Sequence, residues 1–235
     1  QTQITEKDLA FNFMHTNIDN NELAKFIYDI GPRFSPIKMS AIKKANSIKD
    51  ILDDNQLNNV KELKSVSFRL MKNDKRSELQ EIGTTSTLTK SQLTFINSLT
   101  YSTSFVVETE YVQKNPQCGK LELTTLTPHY TVVPEVQAEY EGGKESLMEF
   151  LRENSLELWK DIDEKELQPA KLFFTVTKSG AISNIYLDRT SNFPKIDKRM
   201  KELLSKVPGN WNSATNSLGE KIYQELVVSF GLMGC

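Results

Sequence analysis

An α+β fold of two small modules, preceded by a mostly helical N-terminal segment, is predicted by three observations. Apolar and polar residues alternate over residues 66–70, 105–111, 172–176 and 222–230, the period of strands. Stretches of helical period separate these runs. The 235 residues exceed one average domain and fall short of two large ones, and the strand pattern breaks at Pro134, ahead of Gly142-Gly143. The expected organisation is therefore a mostly helical segment over residues 1–59, a β-rich module over 60–133 and a second α+β module over 134–235.

In the N-terminal segment, Ser35-Pro36 reads as a cap followed by proline at the first helical position. Ile37, Ala41, Ala45, Ile48 and Leu52 then line one helical face, and Asp53-Asp54-Asn55 closes the helix. Leu23, Phe26, Ile27 and Ile30 suggest a shorter helix before it. From Glu62 the period becomes that of a strand, with Val66, Phe68 and Leu70 inward, up to the polar turn Lys72-Asn73-Asp74-Lys75. Thr89 is placed to cap a helix carrying Leu93, Ile96 and Leu99. Phe105, Val107, Thr109 and Tyr111 form the next strand, and after the turn from Lys114 to Gly119 its partner runs through Leu121, Leu123 and Thr125 toward Tyr130 and Val132.

The second module opens with a helix bearing Leu147, Phe150, Leu151 and Leu158. A hairpin follows, with Leu172, Phe174 and Val176 on one arm, Lys178-Ser179-Gly180 at the turn and Ile182 to Leu187 on the other. Pro194 starts a helix with the stripe Ile196, Met200, Leu203, Leu204 and Val207, and Pro208-Gly209 stops it. A last strand alternates through Ile222, Gln224, Leu226, Val228 and Phe230.

Charge and composition exclude several functions. Twenty-nine Lys and Arg against 31 Asp and Glu leave a net charge of −2, without the basic excess that phosphate-backbone binding needs. The two histidines, His15 and His129, and the two cysteines, Cys118 and Cys235, lie at no metal-ligand spacing. Gly142-Gly143 sits in no dinucleotide or P-loop frame, and Glu141 beside it repels an anion. There is no Gly-x-Ser-x-Gly, and no cysteine is near a histidine in sequence. Trp159 and Trp211 read as packing residues, and the acidic run from Asp161 to Glu166 as a solvated segment. No catalytic, cofactor-binding or metal-binding residue is expected, and no enzyme. A run of about 20 apolar residues, the length of a membrane span, does not occur. Cys118 and Cys235 either form one bridge in an oxidising compartment or are two unpaired thiols. A first residue Gln1, with no initiator Met, leads to the expectation that an upstream stretch was removed, either a signal peptide in the cell or a segment cut elsewhere.

Several pieces of the second module, in order, resemble TonB C-terminal domains of the Bacteroidota type. They are Tyr140-Glu141-Gly142-Gly143 before a Leu-rich helix, the strand, turn and returning strand from Lys171 to Ile182, Ile196-Asp197 opening a helix, Val207-Pro208-Gly209-Asn210-Trp211, and a closing strand ending in Phe230. Ser213 stands where that family has a proline two residues after the tryptophan, and the join near Trp159 lacks its Tyr-Pro. Residues 60–133 are similar in element order to the repeated C-terminal domains of the gliding-motility and type IX secretion protein GldM, through Val66-Ser67-Phe68-Arg69-Leu70, the Leu88-Thr89 helix entry and the paired strands around Gly119.

These resemblances imply an exported, periplasmic protein-interaction module without catalytic residues, whose partners are an outer-membrane TonB-dependent transporter or an envelope complex. The expected mechanism is strand addition at a sheet edge. The expected edge is the last strand, through Lys221, Ile222, Tyr223, Gln224, Glu225, Leu226, Val227 and Val228, unless that strand is central and merely packs. Alternatives are the sensing part of a membrane metallopeptidase-type sensor, whose His-Glu-x-x-His is not in this chain, and a GldM-like scaffold. Residues 134–235 are expected to fold alone.

Overall fold

The computed structural model describes residues 26–58, 60–72, 75–78, 82–115, 117–160 and 162–232. In chain order its strands are β1 (Ile27–Gly31), β2 (Ser35–Lys38), β3 (Val60–Lys72), β4 (Lys75–Arg76), β5 (Ser104–Lys114), β6 (Leu121–Leu126), β7 (His129–Val133), β8 (Glu139–Tyr140), β9 (Ala170–Val176), β10 (Ile182–Arg189), β11 (Trp211–Asn212), β12 (Ala214–Thr215), β13 (Lys221–Ile222) and β14 (Gln224–Phe230). The helices are α1 (Met39–Lys44), α2 (Asp54–Leu57), α3 (Lys90–Ser98), α4 (Gly143–Trp159) and α5 (Pro194–Ser205), with a 3₁₀ turn at Ile48–Asp50. The α+β class read from the sequence is the class observed.

The strands form two main sheets, each with its own core. One has the order β2-β7-β5-β3-β4, with β6 paired to the far half of β5. Its inner face packs on α3 and the turns after β2, and Phe68, Phe95 and Phe105 meet there at centroid distances of 5.8–6.4 Å. The other has the order β1-β14-β9-β10, all antiparallel. Leu172, Phe174, Leu226, Val228 and Phe230 on its inner face pack against Leu147 and Leu151 of α4 and Ile196 and Met200 of α5.

The segment before β3 differs most from the expectation. Phe26, Ile27 and Ile30 belong to a strand, not a helix: β1 joins the C-terminal sheet, and Phe26 stacks on Trp159 at 4.8 Å. Leu23 lies outside the described residues. Ser35-Pro36 begins β2, not a helix, since Pro36 can sit on an outermost strand where one side needs no ladder bond. The long helix from Ile37 to Leu52 is instead strand, short helix and 3₁₀ turn; Ile42 is buried where Ala41 is exposed, while Ile37, Ala45, Ile48 and Leu52 are buried from different elements. Asp53 does not close a helix. Its side chain accepts from the backbone N of Gln56 at 2.8 Å and starts α2. The partner of β5 is two strands, since Thr127-Pro128 interrupts it, and the last strand breaks at Tyr223 into β13 and β14.

The outer faces of the two sheets meet. Phe173, Val227, Val106 and Val133 are no more than 3% exposed yet belong to neither core. Arg33 bonds Asp188 at 3.2 Å and stands 5.2 Å from the Phe173 ring centroid. Lys171 lies over Phe34 at 5.2 Å, and the Glu225 backbone N donates to Ser102 Oγ at 3.0 Å.

Candidate protein-docking edge

The strand expected to be the free edge is internal. β14 is flanked by β9 along its whole length and by β1 over Val227–Phe230, with Gly31 opposite Val227 and Ile30 opposite Val228. Lys221 and Ile222 pair with Thr215 and Ala214 in a separate two-stranded ladder. Tyr223 is exposed under the Lys178 ammonium, 5.9 Å from its ring centroid. Gln224 is buried, with Oε1 accepting from Ala138 N at 2.7 Å and Nε2 donating to Gln137 Oε1 at 3.0 Å. Leu226 and Val228 are core, and Val227 is shut between the sheets. Glu225 faces the same interface and accepts from the Tyr186 hydroxyl at 3.0 Å. Burial pushes its carboxyl above the ordinary range, reinforced by Asp188 and partly countered by the Tyr186 bond and Arg33. Burial likewise raises the Tyr186 phenol, followed by the charge of Glu225. The eight residues therefore do not converge on a partner surface.

The unprotected edge lies in the other sheet, on β6. Its ladder with β5 runs from Lys114↔Leu121 to Thr109↔Leu126 without a register shift. Asn115 N donates to Lys120 O at 2.8 Å and Val107 N to Pro128 O at 3.0 Å, both in that same register. Bonded pairs alternate in an antiparallel ladder. Glu122, Thr124 and Leu126 accordingly face β5, and Leu121, Leu123 and Thr125 aim their N–H and C=O groups outward, where no described strand pairs with them. Leu121 is 71% exposed and Leu123 64%. The Glu122 carboxylate accepts from Asn115 Nδ2 at 2.9 Å and from Gln113 Nε2 at 2.8 Å; the Asn115 bond first, then that of Gln113, lowers its pKa, and the pair ties the hairpin end together. Exposed Cys118 lies in the turn beside it; Cys235 and His15 are outside the described residues.

The other edges are blunted by recognisable devices. β2 carries Pro36, and β4 is only Lys75-Arg76. The free half of β3 carries Lys61, Glu62 and Lys64 with two register shifts. β10 shifts register twice, has Asn184 at φ 49° and ends in charged Asp188-Arg189. β1 is a five-residue strand with a shift of its own. The sequence marks β6 as a hairpin arm, and the signal that it is an edge is the pair Leu121 and Leu123 at alternate, solvent-exposed positions.

Motif residues of the second module gather at one point. Tyr140 and Trp211 pair across the β8-β11 ladder with ring centroids 5.6 Å apart, and the Tyr140 hydroxyl donates to the Pro208 carbonyl. Gly180, at φ +81°, lies so close that a Cβ there would stand 2.2 Å from the Trp211 carbonyl oxygen. These residues serve packing. His129 packs near Phe34 at 5.0 Å. Among the described residues no three His, Cys, Asp or Glu side chains are grouped to hold a metal ion, and no helix is long and apolar enough to cross a membrane.

No family model, curated protein or solved structure matches the chain.

Proposed function

We propose that this chain is a non-enzymatic protein-interaction module that takes an extended segment of a partner onto β6 by strand addition. The observation that carries this reading is the unblunted β6 edge, where three outward-facing residues offer main-chain donors and acceptors and two of them present exposed leucines. In strand addition the main chain supplies affinity and alternate side chains supply specificity. A partner strand with apolar residues at alternate positions covers Leu121 and Leu123 on one face while completing the ladder on the other side of β6. The residue patterns resembling TonB and GldM domains support a periplasmic setting and an envelope protein as the partner, an outer-membrane transporter included.

Selection of displayed decapeptides against the whole chain tests it. Selected peptides carry alternating apolar residues and perturb the amide resonances of Leu121, Leu123 and Thr125 most strongly. Binders that perturb only residues away from β5 and β6 would contradict the proposal.

A further inference from the structure

A strand that adds to β6 must set outward-facing residues of its own against Leu121, Leu123 and Thr125, and β6 itself meets that requirement. In an antiparallel pair, residues that exchange both main-chain bonds stand directly opposite one another. A second copy turned about a two-fold axis at Leu123 sets Leu123 opposite the partner's Leu123, and Leu121 opposite Thr125 of the partner subunit. All three outward residues are then bonded on both copies. The β5-β6 ladder has no register shift from Leu121 to Leu126, so no bulge turns the edge away from such a neighbour.

Charge selects this register. Like charges directly opposite each other destabilise a strand pair, and β6 carries one charged side chain, Glu122. An axis one residue earlier sets Glu122 against its own copy. An axis one residue later sets Leu121 opposite Thr127, past the end of the strand. The axis at Leu123 sets Glu122 against Thr124, while Asn115 and Gln113 hold the carboxylate toward β5, away from the joining edge. Leu121 and Leu123, 71% and 64% exposed, then share one continuous face with the same two leucines of the other copy, within reach of one another across the ladder.

We propose that β6 of two copies pairs across this axis when no partner strand is present, so that self-association and partner binding compete for one edge. The inference rests on the open β6 edge of the proposed function. The contact is one strand wide, well below the ~1,600 Å² of a standard interface, so the dimer is a weak one.

Sedimentation of the whole chain tests it. The wild type is monomeric at about 10 μM and dimerises toward about 1 mM, Leu123→Pro stays monomeric throughout, and a selected extended peptide returns the wild type to monomer. The register is read by cross-linking in a Cys118→Ser, Cys235→Ser background. With Leu123→Cys the two thiols meet on the axis, where Cα atoms of a bonded pair stand about 5.5 Å apart, and oxidised glutathione links two chains. Leu121→Cys does not link, since its copy lies four residues away along the strand, about 13 Å. A wild type that is monomeric at about 1 mM would overturn the proposal, as would a folded Leu123→Pro that dimerises like the wild type or a Leu121→Cys that links as readily as Leu123→Cys. A selected peptide that binds through β6 to a chain that never dimerises overturns the self-pairing alone, whereas a chain that neither dimerises nor binds peptide at β6 overturns strand addition with it.

Discussion

Ile30 lies across from Val228 in the ladder that joins the first described strand to the last, so a strand from one end of the chain closes the sheet built by the other. Ile27, wholly buried, and Phe26, stacked on Trp159, complete the same core.

Residues 134–232 expressed alone therefore lack a strand and part of their core. The expected outcome is a poorly dispersed amide spectrum that sharpens when a peptide of residues 26–33 is added. In the whole chain Ile27→Ala costs about 2–4 kcal/mol, measured by urea unfolding. A fragment folded without the peptide would show that β1 is dispensable.

Glu225 makes stability depend on pH. Burial first, then Asp188, raise its folded-state pKa above that of the unfolded chain, against the Tyr186 hydrogen bond and Arg33. The folded state thus holds its proton more tightly, and the contribution of this group is fully present below the unfolded value and lost as pH rises through the folded one. Glu225→Gln keeps an acceptor for Tyr186 and removes that loss. The variant melts higher than the wild type at pH 7, and the difference vanishes toward pH 4, near and below the ordinary glutamate value. Equal melting temperatures at all pH values would show that Glu225 is solvated.

Gly180→Ala forces a Cβ to 2.2 Å from the Trp211 carbonyl at a φ of +81°. Both effects oppose folding, and the loss is at least about 2 kcal/mol by chemical denaturation. A neutral outcome would mean that the hairpin turn and β11 do not touch.

Thr89 and Gln92 form a capping box at the start of α3, with Gln92 N donating to Thr89 Oγ1 at 3.2 Å and Thr89 N to Gln92 Oε1 at 3.0 Å. Thr89→Ala costs about 1 kcal/mol by thermal unfolding, whereas Thr89→Ser is nearly neutral.

What the sequence made legible was local. The alternation through Val66 and Phe68, the cap at Thr89 and the stripe from Ile196 to Leu204 each code an element within a dozen residues. β1 and β2 were illegible for physical reasons. The spacing of Phe26, Ile27 and Ile30 suits one helical face, and Ser35-Pro36 serves equally as a helix start or as an outer strand. Their pairing is with Val227–Phe230 and Tyr130–Val133, far along the chain, so nothing nearby in sequence selects between those uses. Whether a strand is an edge is likewise non-local: Val227 and Val228 lost that status to β1 and Lys221 and Ile222 to β12, and β6 holds it because no other described strand pairs with it.

Two proline variants on β6 test the central claim most directly. Leu123 aims its N–H outward, whereas Thr124 faces Tyr111 within the ladder. The account predicts that Leu123→Pro leaves the melting temperature nearly unchanged and weakens a selected extended peptide at least about tenfold, since edges tolerate proline at outward positions. Thr124→Pro lowers the melting temperature through its lost ladder bond. A Leu123→Pro variant that keeps its fold and binds the peptide as tightly as the wild type would contradict strand addition on β6.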